Sequence, residues 1–66
     1  MKNQIPASER FALTIRTAAQ YFGVGEHKLR RIVNENKDAN YILWDGTRAL
    51  IIREAFEKFL SQAGAI

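Results

Sequence analysis

Two glycines in three residues, Gly23-Val24-Gly25, interrupt an otherwise helical pattern, and no other feature restricts the fold of this chain as strongly. Before them, Ile15, Ala18, Ala19 and Phe22 follow the i, i+3, i+4, i+7 spacing of one helical face, with Arg16, Thr17 and Gln20 on the opposite side. After them, Leu29, Ile32 and Val33 form a second apolar stripe in a helix starting near Glu26, whose charge suits the positive end of a helix dipole. A helix does not run through such a pair, because glycine supplies a left-handed cap and a tight turn. Two short helices joined by a three-residue glycine-bearing turn make a helix-turn-helix unit. With Gly23 as the turn glycine, Ala19 falls at the close contact of the two helices, Phe22 and Val24 flank the turn, and Leu29 and Ile32 lie on the buried side. A larger side chain at position 19 forces the helices apart.

Successive residues of a helix are turned by about 100°, so the side of the second helix away from Leu29, Ile32 and Val33 carries His27, Arg30, Arg31 and Asn34, with Lys28 on one flank. Taken alone, such a cationic face is ordinary solvated surface. Within a helix-turn-helix it suits a DNA major groove, where Arg makes two hydrogen bonds to guanine, Asn does the same at adenine, and any cation meets phosphate. His27, Arg30 and Arg31 are the first candidates for bases. Lys28, with Arg16, Thr17 or Gln20 from the first helix, is assigned to the DNA backbone. Residue type alone does not separate these roles.

The segment Tyr41-Ile42-Leu43-Trp44 and the segment Thr47-Arg48-Ala49-Leu50-Ile51 flank Asp45-Gly46, a strong hairpin signal. A two-residue turn at Asp45-Gly46 predicts that Trp44 faces Thr47, Ile42 faces Ala49 and Tyr41 faces Leu50. Ile42, Trp44, Ala49 and Ile51 then share a core-directed face, and Trp44 is read as packing there. The other face, with Tyr41, Leu43 and Leu50, is left apolar, to be covered by Phe11-Ala12-Leu13 or by another protein. A hairpin here acts as a wing, with Thr47 and Arg48 placed to meet phosphate or the minor groove. A third helix carries Ile52, Ala55, Phe56, Phe59, Leu60 and Ala63 on one side and stops at Gly64. Phe11-Ala12-Leu13 reads as a short strand ending at Thr14, an N-cap for the first helix. Residues 1–10 read as a flexible or loosely docked arm, and residues 11–66 as a single winged-helix domain of the α+β class, with three helices and a small antiparallel sheet.

Length and composition narrow the function. A chain of 66 residues allows one small domain with a thin core, and it wins no help from disulfides because it has no Cys. With His27 as the lone imidazole, a zinc site and a Cys nucleophile are excluded, and no Ser or carboxylate stands at a catalytic spacing from it. No enzyme, metal or cofactor is expected. No apolar run reaches membrane-span length and the N-terminus lacks a signal-peptide core, so a cytoplasmic location is expected. The net charge of +3 agrees with an anionic partner without requiring one.

Leu13-Thr14-Ile15, Tyr21-Phe22, Gly25-Glu26, Lys28-Leu29-Arg30-Arg31, Glu35-Asn36, Asn40, Gly46, Arg48 and Phe56-Glu57-Lys58 together resemble the small excisionases of conjugative transposons in Gram-positive bacteria. The resemblance runs from about Glu9 to the C-terminus, and its helix-turn-helix and wing are shared with the wider MerR-like winged-helix group. It implies a recombination directionality factor, nucleoid-associated in the bacterial cytoplasm, which binds and bends double-stranded DNA near the ends of the element. Such a factor helps a tyrosine-family integrase assemble the excisive complex and does no strand chemistry itself. It implies further that the second helix enters the major groove and the wing meets the adjacent backbone or minor groove, which falls here on His27, Lys28, Arg30, Arg31, Thr47 and Arg48. One departure stands out: Arg16 and Thr17 replace an acidic pair early in the first helix, so the usual capping box is absent and a weaker helix start is expected.

Two other readings remain. One winged helix serves equally well in a small transcriptional regulator of the element. The other is a protein-interaction module that docks a partner through the apolar hairpin face or the helix bearing Phe56 and Phe59. For the DNA-binding readings, a small contact area favours further copies of the protein on adjacent sites.

Overall fold

In the computed structural model, which describes residues 5–64, Thr14 both ends a strand and starts a helix. Strand β1 is Ala12–Thr14 and helix α1 is Ile15–Phe22. The Thr14 hydroxyl oxygen accepts a hydrogen bond from the Thr17 backbone N–H at 3.1 Å, and the hydroxyl donates to the Thr17 hydroxyl oxygen at 3.0 Å. Thr17 therefore takes part in the cap although no acidic side chain stands there. At its other end α1 stops at Gly23, whose φ of 71° and ψ of 31° are left-handed. The Ala19 carbonyl accepts from the N–H groups of both Gly23 and Val24, the latter at 3.0 Å, which satisfies a helix-end acceptor and turns the chain sharply. Helix α2, Glu26–Glu35, follows at once. It ends where the Asn36 side-chain amide donates to the Ile32 carbonyl at 2.8 Å, inside the polar stretch where its end is expected.

Strands β2, Ile42–Asp45, and β3, Arg48–Ile52, form the hairpin, and β1 adds to the free edge of β3 to give an antiparallel sheet of order β1-β3-β2. The register differs from the one a turn centred on Asp45-Gly46 predicts. Ile42 pairs with Ile51, Trp44 with Ala49 and Asp45 with Arg48, so the two central turn residues are Gly46 and Thr47. Backbone conformation is the reason. An Asp-Gly turn of type I′ places both residues at positive φ, whereas among the described residues only glycines have positive φ, Gly46 at 65°. A turn with glycine first needs it at one position alone. The slip is two residues, so the alternation is kept and Ile42, Trp44, Ala49 and Ile51 still share a face.

Depth is a separate matter from face. Ile42 and Ile51 are buried, but Trp44 lies near the hairpin tip and is 42% exposed, so the expectation that it packs in the core is corrected. Tyr41 is the opposite correction. Expected on the outer face, it is buried against Phe56 and Phe59, with ring centroids 5.0 and 4.9 Å apart, because it precedes β2 at the end of the sheet that the third helix covers. Strand β1 extends the sheet sideways and does not blanket its outer face, so Leu43 remains 41% exposed.

Helix α3 is Arg53–Ala63, with Ile52 completing β3 instead of opening the helix. Phe56 is fully buried, edge-on to Phe22 at 5.1 Å and in one core cluster with Leu13, Leu29, Val33 and Ile51. Arg53 fastens the ends of the domain together. Its backbone N–H donates to the Phe11 carbonyl and its Nε to the Arg10 carbonyl, both at 3.1 Å, while its guanidinium lies 3.6 Å from the carboxylates of Glu54 and Glu57. Ahead of β1, a 3-10 turn at Ala7–Glu9 packs Ala7 against the core, and Arg10 Nε donates to the Ile5 carbonyl at 2.7 Å. The first four residues of the expected arm, 1–4, lie outside the described residues. The whole is an α+β winged-helix arrangement of three helices and a three-stranded sheet.

Candidate nucleic-acid interface

Burial of Leu29 and Val33 against the core fixes the roll of α2 and turns its other side to solvent. His27, Lys28, Arg30, Arg31 and Asn34 are all exposed there. At about 100° per residue, His27 and Arg31 lie nearest the middle of this face, Arg30 with Asn34 toward one flank and Lys28 on the other. The flanks meet different neighbours.

On the first flank, Arg30 and Asn34 of α2 and Thr47 and Arg48 of the wing line one open cleft of about 490 Å³, with Trp44 and Ile15 also in its wall. The glycine turn sets the helix and the Gly46-Thr47 turn sets the hairpin, so the cleft depends on both bends. On the second flank, Lys28 and Arg31 line a separate groove beside Phe59 of α3. The structure thus divides the expected recognition residues, joining Arg30 and Asn34 to both wing residues and setting Lys28 and Arg31 apart. Of the residues expected from the first helix, Arg16 and Gln20 are exposed, while Thr17 is half-buried and engaged in the cap with Thr14.

The two arginines of the cleft are each held by a neighbouring carboxylate, one within α2 and one across the hairpin. Arg30 Nη2 lies 2.9 Å from Glu26 Oε2, one helical turn away, and Arg48 Nη2 lies 3.3 Å from Asp45 Oδ2 across the hairpin end. Arg30, Arg48 and Asp45 are well exposed and Glu26 is partly so, and solvent therefore screens both pairs and leaves each a weak restraint on its arginine. Arg31 makes no such pair among the described residues. Trp44 is pinned in the cleft wall by its indole N–H, which donates to the Lys37 carbonyl at 3.1 Å. Sequence reasoning placed Trp44 in the core and passed over Glu26 as a partner for Arg30. The signal for Glu26 was its spacing of four from Arg30.

Cations on both walls, an amide, a hydroxyl and an aromatic edge give the cleft positive charge and hydrogen-bonding groups suited to an anionic partner. Among the described residues, no group of three or more His, Cys, Asp or Glu side chains is placed to hold a metal ion, and no helix is long and apolar enough to cross a membrane.

Comparison with known proteins gives a consistent result. The family model described as the excisionase from transposon Tn916 matches residues 1–66. The excisionase from transposon Tn916 of Streptococcus agalactiae serotype V (strain ATCC BAA-611 / 2603 V/R) is 46% identical over 65 residues, covering 98% of this chain and 97% of that protein.

Proposed function

The chain belongs to the family of the excisionase from transposon Tn916 and so has an excision-related role, and from this we propose that it binds and bends DNA at the ends of a mobile element. In this role it acts beside a tyrosine-family integrase as a directionality factor and breaks no DNA strand itself. The observation that carries the reading is the cleft in which Arg30 and Asn34 of α2 meet Thr47 and Arg48 of the wing. With α2 in the major groove, Arg30 and Asn34 address base edges on the wing side and His27 lies at the centre of the face. Arg31 and Lys28 meet bases or phosphate on the far side, and Arg48 and Thr47 meet the backbone or the minor groove. Arg16 and Gln20 reach backbone phosphate from α1, with Thr17 beside them. Several copies on adjacent sites enlarge a contact area that one small domain keeps low. The protein works in the bacterial cytoplasm, on the nucleoid.

The test is a titration with duplexes taken from the ends of the element. Amide signals of residues 27–34 and 46–48 shift together on binding, and affinity falls with salt at a log–log slope near −4 to −5 when Arg16, Lys28, Arg30, Arg31 and Arg48 all meet phosphate, shallower by about 0.9 for each that takes a base or groove edge instead. Unmoved signals at low salt overturn the reading. Excision reconstituted with purified integrase distinguishes a directionality factor from a regulator, since only the former raises the yield of excised circles.

A further inference from the structure

Both arginines that line the cleft between α2 and the wing are already held by a nearby carboxylate, Arg30 by Glu26 of the same helix and Arg48 by Asp45 across the hairpin. Resting on the DNA-binding reading above, we propose that Glu26 and Asp45 are positioning residues that set the specificity of the interface by restraining these two arginines.

The chemistry of the guanidinium explains how. It carries five N–H donors in a planar fork, so one edge can stay on a carboxylate while another is offered outward. Glu26 holds one edge of Arg30 at 2.9 Å and thereby limits the directions in which the rest of the fork can point. A base edge carries partial charge, and Arg30 meets it without giving up Glu26. A phosphate carries a full negative charge, and it gains Arg30 or Arg48 only by displacing a carboxylate or by lying close to it, either of which opposes binding. The carboxylates therefore weaken contact with any duplex that offers phosphates alone. They leave contact with the cognate bases intact.

The geometry is specific to these two acids. Glu26 is one helical turn from Arg30 in α2, and Asp45 is the cross-strand partner of Arg48 at the hairpin end. Glu35 also lies on α2, but it lines the groove with Lys28 and Arg31 on the far flank.

The experiment compares wild type, Glu26→Gln, Asp45→Asn and Glu35→Gln on a duplex from the end of the element and on a scrambled duplex of equal length, over a range of salt. Each of the first two variants is expected to bind the scrambled duplex about two- to fivefold more tightly, with no gain on the element duplex, where Arg30 takes base edges and Arg48 the minor groove. The salt slope on scrambled DNA steepens by about 0.9 for each arginine released to phosphate. Glu35→Gln removes the same charge without freeing a cleft arginine, and it leaves the ratio of the two affinities near that of wild type. An unchanged ratio in Glu26→Gln and Asp45→Asn overturns the inference, as does an equal fall in Glu35→Gln, which would assign the effect to net charge. Wild-type protein that binds neither duplex overturns the functional reading and this inference with it, whereas wild type that prefers the element duplex confines any failure to the two carboxylates.

Discussion

Ile42 lies directly opposite Ile51 in the hairpin, two positions from the Ala49 it meets if the turn is centred on Asp45 and Gly46. This pairing places two buried branched side chains side by side and leaves the smaller Ala49 opposite Trp44 at the open end. It also brings Arg48 beside Asp45 and so sets one wall of the cleft.

The pairing depends on Gly46 at a φ of 65°, where a Cβ meets no atom within 4 Å. Gly46→Ala therefore adds backbone strain and no clash, and we expect a loss of about 1–2 kcal/mol in urea unfolding. Cross-strand nuclear Overhauser contacts between Ile42 and Ile51 persist in the variant if strain is the whole effect.

At the helix crossing, Ala19 is 6% exposed and its carbonyl carries the bonds that end α1. Ala19→Leu overpacks the contact between α1 and α2 and is expected to cost about 1–3 kcal/mol. A variant that melts at the wild-type temperature contradicts this placement of the turn.

The Arg53 side chain ties α3 to the chain just ahead of β1 through one charge-assisted hydrogen bond, from Nε to the Arg10 carbonyl. Arg53→Met keeps much of the apolar stem and the backbone bond to Phe11 and removes that side-chain bond. The expected loss is about 1.5–3 kcal/mol. Amide exchange should quicken at residues 12–14 more than within α2, which locates the effect.

The division of the cationic face makes a prediction about coupling. Arg30→Ala and Arg48→Ala lie on one cleft and should be non-additive in their effect on duplex binding, whereas Arg31→Ala, on the other flank, should add to Arg48→Ala. Arg31→Ala alone is expected to weaken specific binding by about 1–3 kcal/mol if it reads a base, and to weaken all duplexes equally if it meets phosphate. Titrations of the three singles and two doubles separate these outcomes.

Burial pushes the Tyr41 phenol above its usual value of 10.0. The folded state then holds the proton more firmly than the unfolded chain, so the stability tied to Tyr41 is whole below about pH 10 and is lost as the pH rises from there toward the higher folded value. Tyr41→Phe should flatten that alkaline decline. Denaturation curves of both proteins on either side of pH 10 check it.

Much of this architecture is legible in the residues. Gly23 ends one helix and allows the next because few residues accept its backbone angles, and stripes such as Ile15, Ala18, Ala19 and Phe22 define helical faces through local geometry alone. The same local rules turned His27, Lys28, Arg30, Arg31 and Asn34 outward and brought Thr47 and Arg48 to a wing. Local rules do not measure distance to the core. Trp44 shares a face with Ile42 yet lies past the end of the packed layer, and Tyr41 is buried because α3 returns over that end of the sheet. Nor do they decide which flank of α2 a distant hairpin approaches. That depends on packing between segments far apart in the chain, and it is what joined Arg30 and Asn34 to Arg48 while leaving Arg31 beside Phe59.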